Sequence, residues 1–217
     1  SELVKSVLFY LRSFLLARYE NQLEIYINYD DRICKRIYPF DDQKTIQDDD
    51  DFGIQAFLSK ELQAASENVN DSSSKVNPLN LSFALSMILC QNNCRKLQFL
   101  HKSSSILIVN ESDSIPNSQY VQFMNGIFEA QRNGIKINVL DFQLPLDNNC
   151  GSVLLKQASS ITSGFYVVLY SISEVIPALF QFSNESKMDI LCQPKQKIVD
   201  FRGSCFCHGK IVDVGFV

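Results

Sequence analysis

The chain has 217 residues with a formal net charge of −4, and 46% of the residues are hydrophobic, including 16 phenylalanines. This is enough apolar material for a core in one large domain or two small ones. The acidic balance argues against nucleic acid as a partner held by bulk electrostatics, and no apolar stretch approaches the roughly 20 residues that a membrane-spanning helix needs.

The first predicted element is an amphipathic helix. Apolar residues recur at helical spacing from the start of the chain to about residue 17, and the basic residues Lys5, Arg12 and Arg18 lie off this apolar stripe. Arg18, Tyr19 and Glu20 stand where a signal peptide would carry a cleavage site of small residues. The pattern therefore favours a helix with one buried face over a signal peptide.

A hairpin and two helices are predicted between residues 23 and 100. Period-two alternation on either side of Asp30 and Asp31 is typical of two strands joined by a tight turn. Residues 41–51 hold six aspartates, and we interpret them as a solvated loop, because a cation site needs ligands held rigidly. The predicted elements are strands over 23–29 and 32–38 and helices over 54–69 and 79–100.

From residue 105 onward, strand patterns and helix patterns alternate. The run at 105–109 is continuously apolar, as in strands that are buried on both faces of a parallel sheet. This alternation predicts an α/β fold with right-handed crossovers and a doubly wound, mostly parallel sheet. The predicted strands cover 105–109, 135–142, 164–169, 197–206 and 210–217, and the predicted helices cover 117–133, 150–162 and 172–182.

Motifs for catalysis or for metal binding are missing from the sequence. The strand-to-helix junctions carry neither the glycine-rich loops that hold phosphates nor a Gly-x-Ser-x-Gly elbow. Cys205, Cys207 and His208 stand together, but alternation along a strand would point the histidine away from both thiols. The seven cysteines are an odd number, which favours a reducing compartment. We predict no catalytic residue, no metal ligand and no cofactor in this chain.

Two segments are distinctive as sequences. The first comprises residues 106–109, the run QYVQFMNGIFEAQ at 119–131, and residues 135–139; the second is VDFRGSCFCH at 199–208. Together they resemble the family of the smaller von Willebrand A-like subunit of the general transcription and DNA repair factor TFIIH, its subunit three. The resemblance extends more thinly over the rest of the chain.

The resemblance implies a von Willebrand A-like, Rossmann-like domain over residues 1–217, with helices on both faces of the sheet and one antiparallel edge hairpin. This family begins with a buried central strand, which the sequence does not show, so the chain is interpreted as a fragment. The family also continues into a cysteine-rich zinc-binding module. Zinc is therefore expected in that module and not in this chain.

The function implied by the resemblance is assembly. The domain would be a nuclear, non-enzymatic scaffold that docks onto the larger von Willebrand A and zinc-finger subunit and onto other TFIIH core subunits. It would serve transcription initiation and nucleotide excision repair without touching nucleic acid or membrane directly.

The alternative function is that of a cation-dependent, ligand-binding von Willebrand A domain. The acidic stretch at 110–113 follows a predicted strand where such domains can hold a cation. The other ligand loops of that site are not found in this sequence, and a helix N-cap is the ordinary explanation for the stretch.

One helix face is a candidate partner-binding site. On the predicted helix at 117–133, Phe123, Gly126 and Ala130 form a stripe where small residues would allow another chain to approach closely. The opposite interpretation, that this stripe packs within the domain, is left open. The residues expected to face the sheet are Tyr120, Met124, Ile127, Phe128 and Gln131.

Overall fold

The computed structural model describes residues 2–17, 21–28, 34–38, 81–96, 104–110, 119–142, 152–183, 199, 201–204 and 211–212. The chain divides into two compact units. Unit 1 comprises Ser1–Pro78 and Ile172–Glu185, and unit 2 comprises Leu79–Ser171 and Ser186–Val217. The single domain over residues 1–217 stays a prediction. The predicted helix at 54–69 and the aspartate-rich stretch at 41–51 lie outside the described residues, as do positions 184–196.

Unit 1 contains a helix pair and a hairpin. Its elements are α1 (Glu2–Ala17), β1 (Ile25–Asn28), β2 (Cys34–Tyr38) and, from the later part of the chain, a 3₁₀ turn (Ile172–Glu174) that leads into α5 (Val175–Ser183). Helices α1 and α5 pack together, and Leu8, Tyr10 and Leu179 are buried. Strands β1 and β2 pair antiparallel with an irregularity between Ile25 and Tyr26, so the predicted hairpin is confirmed.

Unit 2 contains the parallel sheet. Its elements are α2 (Leu81–Lys96), β3 (Ser105–Asn110), α3 (Tyr120–Arg132), β4 (Lys136–Phe142), α4 (Val153–Ile161), β5 (Tyr166–Leu169), β6 (Gly203–Ser204) and β7 (Ile211–Val212). Strands β3, β4 and β5 pair in parallel in that order. Each crossover carries one helix, as the alternation of patterns predicted.

The core of unit 2 surrounds β4, which is the central strand of the three. Ile137, Val139 and Leu140 are all fully buried, as expected for a strand with neighbours on both edges and helices packed on the sheet. Helices α2, α3 and α4 supply most of the other core side chains, among them Leu85, Ile127 and Leu155. The predicted α/β class with a mostly parallel sheet is therefore confirmed.

Two antiparallel strand pairs are described in addition to the parallel sheet. Among the described residues, β1 and β2 form their own two-stranded sheet, and β6 and β7 form another. The described parts of β6 and β7 are two residues each and lie within the strands predicted at 197–206 and 210–217. No helix in the described part of the chain is long and apolar enough to cross a membrane.

Helices α3 and α4 end in the same way. At the end of α3, Gly134 adopts a positive φ of 67°, and the amide of Ile135 donates to the carbonyl of Ala130 at 2.9 Å. At the end of α4, Ser163 adopts a φ of 57°, and the amide of Gly164 donates to the carbonyl of Ser159 at 2.8 Å. Both are Schellman ends, which turn the chain abruptly into the following strand.

Candidate functional site

The three residues predicted to bind a partner lie inside unit 2. Phe123 and Ala130 are fully buried in the core cluster. A β-carbon added at Gly126 would lie 2.8 Å from Cδ2 of Leu85 on α2, so the glycine permits close approach of a helix of the same chain. The structure thus shows packing within the domain, the interpretation that the sequence had left open. Partner binding by these three residues stays a prediction, and it would require α2 to move away from α3.

The face of α3 that packs on the core differs from the predicted one. Ile127 is buried as expected, and Tyr120 and Met124 pack against the core at its edge. Phe128 and Gln131, which were also expected to face the sheet, are exposed. The prediction was wrong for these two, because the helix presents the stripe containing Phe123 to the core and thereby turns Phe128 outward.

The exposed side of α3 is the candidate functional surface. Val121, Asn125, Phe128 and Arg132 are spaced by four, three and four residues, which aligns them along one side of a helix, and all four are exposed. We call this stripe the outer face of α3. Phe128 is its largest apolar side chain, with 51% of its surface exposed.

The backbone of α3 is fixed by contacts with α2 and with the core. The hydroxyl of Ser82 on α2 donates to Oε1 of Gln122 on α3 at 3.2 Å. The contact of Gly126 with Leu85, one turn further along, fixes the same pair of helices. The opposite side of α3 is anchored by fully buried Phe123 and Ile127. A partner therefore meets side chains whose backbone is already fixed, which lowers the ordering entropy that binding must overcome.

A buried carboxylate marks the carboxyl edge of the sheet, where open α/β sheets usually bind ligands. Asp141 on β4 is only 2% exposed. Its Oδ1 accepts a hydrogen bond of 2.7 Å from Nδ2 of Asn110, and its Oδ2 accepts one of 3.3 Å from the amide of Ser152. The hydroxyl of Tyr166 also donates to Oδ2. The carboxylate thus joins three strands to the amino end of α4.

These hydrogen bonds identify Asp141 as a structural junction. A carboxylate near the amino end of a helix is stabilised by the free amides and by the helix dipole, and here two side-chain donors add to that effect. The ring of Tyr166 also lies beneath the ammonium of Lys156, 5.5 Å from its centroid, at a distance suited to a cation–π contact. The described residues bring together no cluster of three metal-ligating side chains.

The role of Asp141 was not predicted from the sequence. The acidic stretch predicted after β3, at residues 110–113, lies outside the described residues except for Asn110. The overlooked signal was a carboxamide and a carboxylate at matching ends of neighbouring strands, because Asn110 and Asp141 are register partners. Cys205, Cys207 and His208 also lie outside the described residues. Cys90 is an exposed free thiol on α2.

Comparison with known proteins places these features in a family. A family model described as "Transcription factor Tfb4" matches residues 1–217, the whole chain. General transcription factor IIH subunit 3 of Dictyostelium discoideum is 30% identical over 167 residues, which is 76% of this chain and 43% of that protein. The Arabidopsis thaliana general transcription and DNA repair factor IIH subunit TFB4 is 33% identical over 168 residues, covering 76% of this chain and 53% of that protein.

A solved structure shares the fold. The crystal structure of the TFIIH p34 N-terminal domain superposes with a TM-score of 0.64 and 22% sequence identity, covering 81% of this chain and 83% of that one. This likeness confirms the von Willebrand A-like fold. The chain spans about half or less of the length of the curated relatives named above.

Proposed function

The chain belongs to the Tfb4 family, whose curated members are named as subunits of general transcription factor IIH, and from this premise we propose that it is a non-catalytic assembly subunit of that factor. In this role it supports transcription initiation and nucleotide excision repair by holding other subunits in place. The role implies a nuclear location. It needs no cofactor bound to this chain, and zinc belongs to the cysteine-rich module that the family carries elsewhere.

The proposed partner is the larger von Willebrand A and zinc-finger subunit of the same factor, and the proposed contact is the outer face of α3. The observation that carries this proposal is the exposure of Phe128 on that face, two helical turns from the exposed Val121. Protein interfaces concentrate their binding energy in a few aromatic anchors surrounded by polar groups. Asn125 and Arg132 are suited to that surrounding rim.

Burial of Phe128 is expected to change the affinity for the partner measurably. Burying the exposed half of the Phe128 side chain in an apolar interface contributes about half of the roughly 1.5–3 kcal/mol that a fully exposed phenylalanine would give, which is about a four- to tenfold change in affinity. Because α3 is fixed by α2 and by the core beneath it, little of that energy is spent on ordering the helix.

A pull-down with the larger subunit tests the proposal. The 217-residue chain is incubated with the purified zinc-binding region of that subunit, and Phe128→Glu is compared with Phe201→Glu, an equally drastic change at a phenylalanine of unit 2 that is 60% exposed and outside the face. We expect Phe128→Glu to abolish retention and Phe201→Glu to leave it unchanged, with both variants folded by circular dichroism. Equal retention of the two variants would place the interface elsewhere.

A further variant separates this face from the buried stripe. Ala130 has no exposed surface, so Ala130→Glu would bury a carboxylate in the core and is expected to unfold unit 2. If Ala130→Glu instead remained folded and lost the partner while Phe128→Glu kept it, the partner would bind the stripe of Phe123, Gly126 and Ala130, and the outer face of α3 would be the wrong assignment.

A further inference from the structure

The sequence Asn-Gly-Ile occurs twice in the chain, once within α3 and once at its end. Asn125 and Gly126 lie in the middle of the helix, whereas Asn133 and Gly134 follow its last residue. An asparagine followed by glycine is chemically labile, because the glycine amide nitrogen can approach the side-chain carbonyl carbon of the asparagine without hindrance from a β-carbon. Since the two sites have the same local sequence, their surroundings in the structure decide which one reacts.

The site at 125–126 is locked in the folded chain. Its backbone belongs to the hydrogen-bond ladder of α3. A β-carbon added at Gly126 would lie 2.8 Å from Cδ2 of Leu85, so α2 packs directly on the backbone there. A reaction at this site would have to break the middle of α3, where Phe123 and Ile127 are fully buried. Opening of such a segment approaches the free energy of global unfolding.

The site at 133–134 is held by fewer contacts. The amide of Gly134 donates to the carbonyl of Gln131 at 3.0 Å, and Nδ2 of Asn133 donates to the carbonyl of Glu129 at 3.0 Å and to its Oε1 at 2.7 Å. These bonds belong to the end of the helix, where fraying costs little free energy. Gly134 is exposed, and among the described residues no atom lies within 4 Å of the place of its missing β-carbon. Opening one helical turn therefore releases the reacting groups.

We propose that Asn133 is the site at which this chain deamidates, through a cyclic imide formed with Gly134. The amide nitrogen of Gly134 gives up its proton to water and forms a bond to Cγ of Asn133, and the side-chain nitrogen leaves as ammonia. Water then opens the ring. Cleavage of the new bond to Cγ gives aspartate, and cleavage of the original peptide bond gives isoaspartate, in which the main chain runs through the side chain. Water is the only co-reactant, and ammonia is the only by-product.

Either product changes the end of α3. An aspartate at position 133 loses the donor that binds Glu129 and places a second carboxylate four residues from it, at the negative end of the helix dipole. An isoaspartate adds one carbon to the main chain in the turn that leads to Ile135 and Ile137, which are buried in the core. Deamidation is therefore expected to loosen α3 and β4 as the protein ages. This modification goes beyond the proposed function, since it needs no partner.

The test incubates the purified 217-residue chain at neutral pH and follows both sites by mass spectrometry. Trypsin cleaves after Lys102, Arg132 and Lys136, so the two asparagines appear in different peptides of one digest. We expect Asn133 to deamidate about tenfold faster than Asn125 or more, since opening is easiest at a helix end, and to give isoaspartate together with aspartate. In urea, where the structure is lost, the two rates are expected to be similar.

A pair of variants at Glu129 tests the structural cause. Glu129→Ala removes the side-chain acceptor of Nδ2 and is expected to speed deamidation of Asn133 about two- to tenfold, the factor that corresponds to one ordinary hydrogen bond. Glu129→Gln keeps an acceptor oxygen in the same place, and its rate is expected to stay within about twofold of that of the unchanged chain. Circular dichroism checks that both variants are folded.

The stability of Asn133→Asp, which mimics one product, is a separate readout. Its melting temperature is expected to be about 2–4 °C lower, because a hydrogen bond is lost and a like-charge pair is formed. The proposal is overturned if Asn125 reacts as fast as Asn133 in the folded chain, if no isoaspartate forms at position 133, or if Glu129→Ala leaves the rate unchanged. An unchanged melting temperature of Asn133→Asp would overturn the inferred loosening of α3.

Discussion

Phe123 and Phe128 stand five residues apart on the same helix and have opposite environments. Phe123 has no exposed surface, while Phe128 is 51% exposed. Five residues correspond to about 140° of rotation around a helix with 3.6 residues per turn, so one ring anchors α3 to the core of unit 2 and the other is presented to solvent.

The two phenylalanines should therefore respond differently to truncation. Phe123→Ala is expected to lower the free energy of unfolding by about 3–5 kcal/mol, because it removes a fully buried ring and leaves a cavity. Phe128→Ala is expected to change it by about 0.5 kcal/mol or less, as is usual for exposed positions. Urea denaturation of both variants measures the difference, and a similar loss at the two positions would contradict the assigned orientation of α3.

The hydrogen bond from Tyr166 to Asp141 is expected to contribute to stability. Tyr166→Phe removes the hydroxyl that donates to Oδ2 while keeping the ring beneath Lys156. Hydrogen bonds to charged groups contribute roughly 1.5–3 kcal/mol, and since this one is only partly buried we expect a loss near the lower value. Thermal unfolding of Tyr166→Phe is compared with that of Tyr120→Phe, at a tyrosine on the edge of the same core; equal melting temperatures would show that the junction at Asp141 does not depend on the hydroxyl.

Substitutions at the two Schellman ends are expected to change the stability of unit 2 in opposite directions. Ser163 holds a positive φ without being glycine, and the left-handed conformation costs a residue with a side chain roughly 1–2 kcal/mol. Ser163→Gly is therefore expected to stabilise unit 2 by up to about 1 kcal/mol after the added chain entropy of glycine is subtracted. Gly134→Ala is expected to destabilise it by about 1 kcal/mol for the same reason, although the site is sterically open. Calorimetry of both variants checks the signs.

A side chain is expected to be tolerated less well at position 164 than at the positive-φ positions of these two turns. An added β-carbon there would lie 2.0 Å from the carbonyl oxygen of Ile137, a backbone atom of the central strand. Such a contact can be relieved only by moving β4 or β5, so Gly164→Ala is expected to prevent cooperative folding of unit 2. The measurement is the near-ultraviolet circular dichroism of the purified variant. A native spectrum with an unchanged melting temperature would contradict the close approach of the two strands.

The sequence predicted the alternation of unit 2 because each strand and helix there has its own hydrophobic period. It did not predict which side of α3 faces inward. A helix containing Phe123, Ile127 and Phe128 has apolar residues on more than one side, and the choice between them was made by α2, where Leu85 fits against Gly126. That contact joins residues 41 positions apart, and local hydrophobic periodicity carries no information about contacts at such a distance.

The hydrogen bonds at Asp141 also could not be predicted from local sequence patterns. Read along the chain, this residue is only a polar position near the end of an apolar strand. Its role depends on Asn110 from one neighbouring strand and Tyr166 from the other, and therefore on strand order and register. The hairpin of β1 and β2 needed no such information, because a tight turn and two alternating segments define it locally.

The position of β4 has a consequence for the exchange of its amide hydrogens with solvent. The amide of Ile137 donates to the buried hydroxyl of Thr162 at 3.0 Å, and the amide of Val139 donates to the carbonyl of Phe165 at 2.7 Å. Both lie under helices in the middle of the sheet, so local fraying at its edges does not release them. Deuterium can reach them only when unit 2 opens as a whole, and their exchange rates therefore report its global stability.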